Sequence, residues 1–192
     1  PAIMAARAGL DIYGEKPLSH NLPEGRAMVE AVKRYGRIWQ TGSWQCSRSN
    51  FHKACELVRN GRIGRVRRIE VGLGGGHPDF DGNGHRVLPE PIPEGFDYDM
   101  WLGPAPYAEY CPARVHKTWR WNLDYGGGML LDWVGHHVDI AHWAMGYDET
   151  GPVEVEGTFT WPTGLWNAPT EFDFSCRYAD GVVMEVTSRR HR

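Results

Sequence analysis

The chain has 192 residues, a formal net charge of −3, 41% hydrophobic residues and 23% charged residues. This length and balance are typical of one good-sized globular domain or two small ones. Because lysine and arginine are spread along the chain, nothing indicates a nucleic-acid partner or an anionic membrane surface. No apolar run approaches the ~20 residues of a membrane-spanning helix. The four cysteines form no C-x-x-C pair, which argues against a zinc ribbon and gives no sign of a disulfide framework.

The first 46 residues predict part of a parallel α/β domain. Asn21, followed three residues later by Glu24, is a helix-capping signal, and Gly9 and Gly36 each end a helical pattern. The predicted elements are a helix over residues 2–8, a strand over 12–14, a helix after Asn21 and a strand over 38–42. Such alternation is typical of a parallel sheet, in which ligands bind at the carboxyl ends of the strands. Lys16 and residues 43–45 both lie at such ends.

The rest of the chain follows a different pattern, so we place a domain boundary at residues 46/47. A helix capped by Ser49 or Asn50 is expected first, and a long Gly- and Pro-rich loop over residues 74–113 indicates a functional segment. The predicted strands are residues 66–73, 153–161, 170–178 and 182–188, the last two joined by a hairpin turn at 179–181. Residues 47–192 are therefore expected to form an antiparallel sheet plus a helix.

One stretch, residues 126–143, combines three glycines with a predicted helix. Asp132, His136, Asp139 and Trp143 follow at spacings of four, three and four, which places them on one helical face. Two carboxylates and an imidazole are the groups that general acid/base chemistry uses. The alternative interpretation is a capped helix with a solvated polar face. Glycines at the helix start would let a ligand approach the backbone closely.

The chain lacks the phosphate-binding pattern G-x-G-x-x-G of dinucleotide sites. The run from Gly72 to Gly76 does not match, because His77 or Asp79 stands where the last glycine is required. A pattern that starts at Gly126 does not match either, because its last position is Leu131. The sequence begins without methionine inside a predicted helix and ends at a predicted strand. We therefore expect a fragment of a longer protein.

Three short stretches carry a family resemblance. They are Glu15-Lys16-Pro17 after a short strand, Trp101-Leu102-Gly103-Pro104-Ala105-Pro106, and Gly126-Gly127-Gly128-x-x-x-Asp132-x-x-x-His136-x-x-Asp139. In this order and spacing they resemble the glucose–fructose oxidoreductase, inositol dehydrogenase and rhizopine-catabolism (Gfo/Idh/MocA) family over essentially the whole chain. The resemblance implies an α/β protein. Residues 1–46 would be the C-terminal part of a Rossmann-like parallel sheet, and residues 47–192 an incomplete α+β domain with a predominantly antiparallel open sheet.

The resemblance implies an oxidoreductase that uses NAD or NADP and moves a hydride to or from a hydroxyl of a sugar, cyclitol or sugar derivative. Glu15, Lys16 and Pro17 would belong to the cofactor site, with a cis Lys16–Pro17 bond, and Lys16 would polarise the reacting hydroxyl. His136 would be the general base, and Asp132 would hold the hydroxyl or relay its proton. An imidazole with a pKa of about 6.5 suits proton removal at neutral pH.

Some positions depart from the family's pattern. Val134, rather than glycine, stands two residues after the aspartate, and Cys46 stands where a basic residue is expected. His137 offers a second imidazole, although the spacing of four favours the first. Arg120, between two tryptophans, is a candidate substrate-binding residue, and a structural ion pair with Asp124 is the equal alternative.

Other functions remain open at this point. An NAD-dependent glycoside hydrolase of the same family is the nearest alternative. A metal-dependent hydrolase with Asp132, His136 and Asp139 as ligands, or a non-catalytic binding remnant, would belong to other classes. The leading interpretation needs no metal. It includes a small carbohydrate or polyol substrate, which the nine tryptophans could stack against, and a homo-oligomer formed through the open sheet. The fragment alone is expected to be inactive. We expect a cytoplasmic location, with export to the periplasm as the alternative.

Overall fold

The computed structural model describes residues 1–79 and 81–189, which form two compact units. The first unit comprises Pro1–Arg65 and Gly135–Glu149, and the second comprises Val66–Val134 and Thr150–Arg192. The boundary at residues 46/47 stays a prediction. Within the described residues, no helix is long and apolar enough to cross a membrane.

The chain is an α/β protein whose regular elements are short. The helices are α1 (Ala2–Arg7), α2 (Leu22–Arg34), α3 (Ser49–Arg59), α4 (Tyr98–Leu102) and α5 (Gly135–Met145). The strands are β1 (Ile12–Glu15), β2 (Trp39–Gly42), β3 (Arg68–Gly72), β4 (Glu154–Thr160), β5 (Glu171–Arg177) and β6 (Val183–Thr187). Trp44–Ser47 and His116–Trp121 are 3₁₀ helices, and Leu130–Val134 is a π-helical turn.

In the first unit, β1 and β2 pair in parallel, with Ile12 opposite Trp39, which confirms the predicted sheet. The predicted cap of α2 is also confirmed, because Asn21 Oδ1 accepts a hydrogen bond from the Glu24 N–H at 2.9 Å. The Glu24 carboxylate accepts in turn a hydrogen bond from the N–H of His20 at 3.0 Å. The Lys16–Pro17 peptide bond is cis, as expected.

Two expectations about helices are wrong. The cap of α3 is Arg48, without a side-chain cap bond, because the preceding 3₁₀ helix runs directly into α3: the Arg48 N–H donates to the Gln45 carbonyl, and the Arg48 carbonyl accepts from His52. The loop at 74–113 also contains α4, which is too short to show a helical period. It forms because Asp97 caps the Met100 N–H at 2.9 Å.

The second unit contains a mixed four-stranded sheet in the order β3-β6-β5-β4. The β3–β6 pair is parallel and the other two pairs are antiparallel. The turn between β5 and β6 closes with the Gly181 N–H on the Tyr178 carbonyl, and Gly181 has a φ of 87°. These pairings confirm the three predicted C-terminal strands and a predominantly antiparallel sheet.

Strand alternation gives this sheet one apolar and one polar face. The register aligns Val155, Cys176 and Met184 across three strands, and Met184 is fully buried. On the other face Arg68 forms ion pairs with Glu70 and Glu185. Strand β4 pairs with β5 and is exposed along its whole length, so it forms an edge of the sheet.

Candidate active site

The glycines before the helical segment are required by the protein's own packing. A Cβ on Gly126 would lie 2.6 Å from the Arg120 carbonyl oxygen, and one on Gly127 would lie 2.5 Å from Leu131 Cγ. Gly128 has a φ of 60°, and its Cβ would lie 2.9 Å from the Ala168 Cβ. Packing within the chain therefore accounts for these glycines, and close approach of a ligand is not needed to explain them. The regular helix predicted from here is a π-helical turn followed by α5.

His136 is the second residue of α5, and its side chain is only 8% exposed. The edge of its ring meets Trp44, with the centroids 6.0 Å apart and the planes at 75°. The Lys16 side chain runs along the start of the same helix, since a Cβ on Gly135 would lie 3.9 Å from Lys16 Cδ. The structure thus brings the candidate base and the candidate lysine to one end of α5.

Glu15 and Pro17, on either side of Lys16, lie at the same end of the parallel sheet. Glu15 is the last residue of β1, and it lies opposite Gly42 of β2. A Cβ on Gly42 would lie 2.6 Å from the Glu15 carboxyl carbon, so glycine there makes room for this carboxylate. Pro17 is exposed and follows directly.

Asp139 is engaged by a cysteine. Cys46 Sγ donates to Asp139 Oδ2 at 3.2 Å. Burial raises the pKa of the Cys46 thiol to about 11, and the hydrogen bond to Asp139 and the charge of that carboxylate add to the rise. Cys46, which replaces the basic residue expected at this position, therefore stays a neutral thiol at physiological pH and acts as a hydrogen-bond donor.

Arg120 and Asp132 lie together in the second unit. Arg120 Nε is 3.9 Å from Asp132 Oδ2, and the guanidinium also donates to the Lys117 carbonyl at 3.1 Å. The same guanidinium lies over the Trp119 ring, 4.9 Å from its centroid. The ion pair expected between Arg120 and Asp124 is therefore made with Asp132 instead. Since Asp124 and Asp132 are both carboxylates downstream of Arg120, spacing alone could not choose between them.

Trp44 and Gln45 follow β2, at the carboxyl end of the parallel sheet where the sequence predicts ligand-binding residues. Trp44 contacts His136, and the buried Gln45 has an Oε1 atom without a hydrogen-bond partner among the described residues. The sequence alone assigned neither residue a role, because these contacts form only in the folded chain.

The metal-dependent hydrolase gains no support from this geometry. Within residues 1–79 and 81–189, no group of three or more His, Cys, Asp or Glu side chains is placed to hold a metal ion. Asp139, one of the three supposed ligands, is instead bonded to Cys46.

The residues of this chain fit one part of a nicotinamide dinucleotide, its nicotinamide ring. Lys16 and Gln45 both follow strands of the parallel sheet, and the buried, unsatisfied Gln45 oxygen could accept a bond from a carboxamide. The pattern that binds the cofactor's pyrophosphate does not occur in these 192 residues. The residues present therefore fit the nicotinamide end alone.

Comparison with known proteins decides the family. Residues 47–186 match the family profile described as "Oxidoreductase family, C-terminal alpha/beta domain" of the Gfo/Idh/MocA group. The chain belongs to the Gfo/Idh/MocA oxidoreductase family. A curated member of this family, myo-inositol 2-dehydrogenase of Thermotoga maritima, is 28% identical over 156 residues, which cover 81% of this chain and 35% of the relative.

Solved structures share the fold of this chain. The WlbA dehydrogenase from Bordetella pertussis, in complex with NADH and UDP-GlcNAcA, matches with a TM-score of 0.67 at 19% identity, over 100% of this chain and 48% of its own. Aldose-aldose oxidoreductase from Caulobacter crescentus, complexed with glycerol, matches with a TM-score of 0.65 at 21% identity, over 98% of this chain and 46% of its own. The chain thus spans about a third to a half of the length of these proteins.

Proposed function

We propose that this chain is part of an NAD(P)-dependent oxidoreductase that transfers a hydride between nicotinamide and a hydroxyl of a sugar, cyclitol or sugar derivative. The observation that carries the proposal is the placement of Lys16 along the start of α5, next to the buried His136. An acid/base side chain beside a lysine at the end of a parallel strand suits alcohol oxidation. The inositol dehydrogenase and aldose oxidoreductase among the relatives support the substrate class.

In this mechanism His136 removes the proton of the substrate hydroxyl in the direction of oxidation and returns it in the direction of reduction. The nicotinamide, when bound, supplies the hydride acceptor or donor. Glu15, Lys16 and Pro17 would hold its reacting end. The ammonium of Lys16 stabilises the negative charge that develops on the substrate oxygen as its proton leaves. Trp44 restricts His136 from one side, which limits the directions its ring can take.

Asp132, four residues before His136 in sequence, is assigned to the substrate. Its carboxylate accepts a hydrogen bond from a sugar hydroxyl or relays the proton, and Arg120 donates to a neighbouring oxygen. Arg120 Nε lies 3.9 Å from Asp132 Oδ2, so the two side chains assigned to the substrate are neighbours.

The test is an activity assay on the protein expressed from its complete reading frame. With myo-inositol and with aldoses as substrates, NAD(P) should be reduced in proportion to the oxidised sugar. Lys16→Met should lower turnover, whereas the matched variant Lys33→Met, at the end of α2, should not. A sugar released from a glycoside while the bulk cofactor stays unchanged would replace this proposal with the NAD-dependent glycoside hydrolase. Equal activity of both lysine variants would contradict the role of Lys16.

A further inference from the structure

A concave pocket with a volume of about 380 Å³ lies around α4, in the loop over residues 74–113. All of its lining residues fall between Pro89 and Tyr110, so the pocket belongs to the second unit alone. We name it the Tyr107 pocket, after the most exposed of these residues. A volume of ~300–1,000 Å³ is typical of small-molecule sites. None of the residues assigned to the proposed reaction lines this pocket.

The floor of the Tyr107 pocket is apolar and is part of a packed aromatic cluster. Tyr98, Leu102 and Tyr110 line the pocket, and all three are buried. The rings of Tyr98 and Tyr110 meet edge to face, with centroids 5.4 Å apart and planes at 84°. Phe96 contacts both rings, with centroid separations of 6.0 Å. Such a floor suits the hydrocarbon part of a ligand, which gains free energy by leaving water.

Hydrogen bonds within the loop hold the two sides of the pocket together. The Glu90 N–H donates to the Tyr110 carbonyl at 3.0 Å, which joins the first and last parts of the lining. The Tyr98 hydroxyl donates to the Ala108 carbonyl at 2.9 Å, which ties α4 to the segment that carries Tyr107. The pocket is therefore preformed, and a preformed site loses little conformational entropy when a ligand binds.

The charged residues that line the pocket are all acidic. They are Glu90, Asp99 and Glu109, and no described lining residue is a lysine, an arginine or a histidine. Arg86, outside the lining, balances the charge of Glu90, because its Nε donates to Glu90 Oε1 at 3.0 Å. Asp99 and Glu109 are exposed and form no ion pair within the part of the chain that the structure describes. Their two carboxylates attract a cation and repel a carboxylate or a phosphate.

Tyr107 adds an aromatic ring beside these carboxylates, and its side chain is 82% exposed. The face of a tyrosine ring attracts an ammonium group through the quadrupole of the ring. The pocket thus combines an apolar floor with groups that favour positive charge. A hydrated metal ion uses only the second of these features, whereas an organic cation uses both.

We propose that the Tyr107 pocket binds a small organic ammonium ion with an apolar body. The hydrocarbon part packs on Tyr98, Leu102 and Tyr110, and the ammonium group meets the carboxylates of Asp99 and Glu109 and the ring of Tyr107. The inference is independent of the proposed function, because the pocket shares no residue with the assigned catalytic site. An inactive protein that still binds an amine here would refute the proposed function alone.

The test is a ligand-observed NMR titration at pH 7 on the protein expressed from its complete reading frame. The probes are phenethylammonium, 2-phenylethanol and 3-phenylpropanoate, which have similar shapes and a positive, a neutral and a negative group. A primary alkylamine such as that of lysine has a pKa of about 10.4, so the first probe is charged. It should bind saturably, about tenfold more tightly than the alcohol, and the carboxylate should not bind. Equal binding of the amine and the alcohol, or no saturable binding of the amine, would overturn the proposal.

A matched pair of variants locates the bound cation. Glu109→Gln should weaken phenethylammonium binding by ~3–5-fold and leave 2-phenylethanol unaffected. Glu94→Gln removes the same charge from an exposed glutamate of the same loop that does not line the pocket, so it should change neither affinity. Equal effects of the two substitutions would show attraction by net charge alone and would contradict the proposed site.

A second pair tests the aromatic contribution. Tyr107→Ala should weaken binding of the ammonium ion, whereas Tyr13→Ala, at a tyrosine of β1 that is 64% exposed, should not. Both side chains are largely exposed, so neither substitution removes a buried contact that the fold needs. The proposal fails if the Tyr107 variant binds phenethylammonium like the Tyr13 variant.

Discussion

His136 and His137 are adjacent in sequence, and the proposed mechanism assigns the role of general base to His136 alone. Successive helical side chains point about 100° apart, so both cannot face one substrate. In the protein from the complete reading frame, His136→Ala should lower turnover by roughly 10²–10⁴-fold, the usual contribution of a general base. Cofactor affinity should barely change. His137→Ala should have a much smaller effect on turnover.

Melting temperatures measured beside the steady-state rates distinguish catalysis from packing. His136 is buried, so a purely structural histidine would lower stability and leave turnover intact in whatever protein folds. Near-normal turnover in a folded His136→Ala variant would leave Lys16 as the better candidate for proton transfer.

Cys46 should be an unreactive thiol near neutral pH. The thiolate is the nucleophile, and a pKa of about 11 leaves very little of it at pH 8. Alkylation by iodoacetamide, followed by mass spectrometry, should therefore be slow and should accelerate as the pH rises toward 11. Asp139→Asn removes the acceptor's charge and should speed the reaction at a given pH, although burial continues to raise the pKa. An alkylation rate that is already maximal at pH 8 would contradict this assignment.

The raised pKa of Cys46 also makes the free energy of unfolding decrease at alkaline pH. The folded pKa of Cys46 lies above its ordinary value of 9.0, so folding favours the protonated thiol. The contribution is fully present below pH 9 and is lost as the pH rises from about 9 to about 11. Cys46→Ser should therefore reduce the alkaline loss of stability over this range.

The entry to the helical segment depends on glycine at position 128. Gly128 has a φ of 60°, and a Cβ there would lie 2.9 Å from the Ala168 Cβ and 3.3 Å from Trp121 Cδ1. Both strain and overpacking oppose a side chain, so Gly128→Ala should cost ~1–3 kcal/mol of stability. Gly74→Ala is the control, since a Cβ at Gly74 would meet nothing within 4 Å. Urea unfolding midpoints would test the pair, and equal midpoints would contradict the packing argument.

As a whole, the 192-residue chain should bind NAD(H) only weakly when expressed alone. Much of the binding energy of a dinucleotide comes from its phosphates at a glycine-rich helix start, and this sequence lacks that pattern. Titration calorimetry should show no saturable binding to residues 1–192, in contrast to the protein from the complete reading frame. Tight binding to the 192-residue chain would refute the prediction.

The open sheet should mediate self-association. Strand β4 is exposed along its length, and its Val155 lies on the apolar side of the sheet. An exposed edge with apolar side chains favours pairing with another copy. Val155→Asp should shift the protein toward the monomer in light scattering after size-exclusion chromatography. Ile63→Asp, an exposed apolar position after α3, should not; equal effects would contradict an interface at β4.

Local signals predicted the regular elements where short-range chemistry controls them. The Asn21–Glu24 pair predicted the start of α2, because an N-cap bond joins residues three apart. Alternating side chains predicted β5 and β6, because one face of the sheet is buried. The start of α3 was placed one or two residues late, because a 3₁₀ helix leads into it, and α4 was missed, because five residues show no period.

By itself, the sequence determined the family and the residue types at the candidate site, since these depend on motifs such as Glu15-Lys16-Pro17 and their spacing. Only the tertiary structure decided which partners those side chains meet. Cys46 binds Asp139 across 93 positions of the chain, and Arg120 pairs with Asp132 rather than with the nearer Asp124. The physical reason is that side-chain contacts depend on packing between elements distant in sequence, and no local pattern encodes that packing.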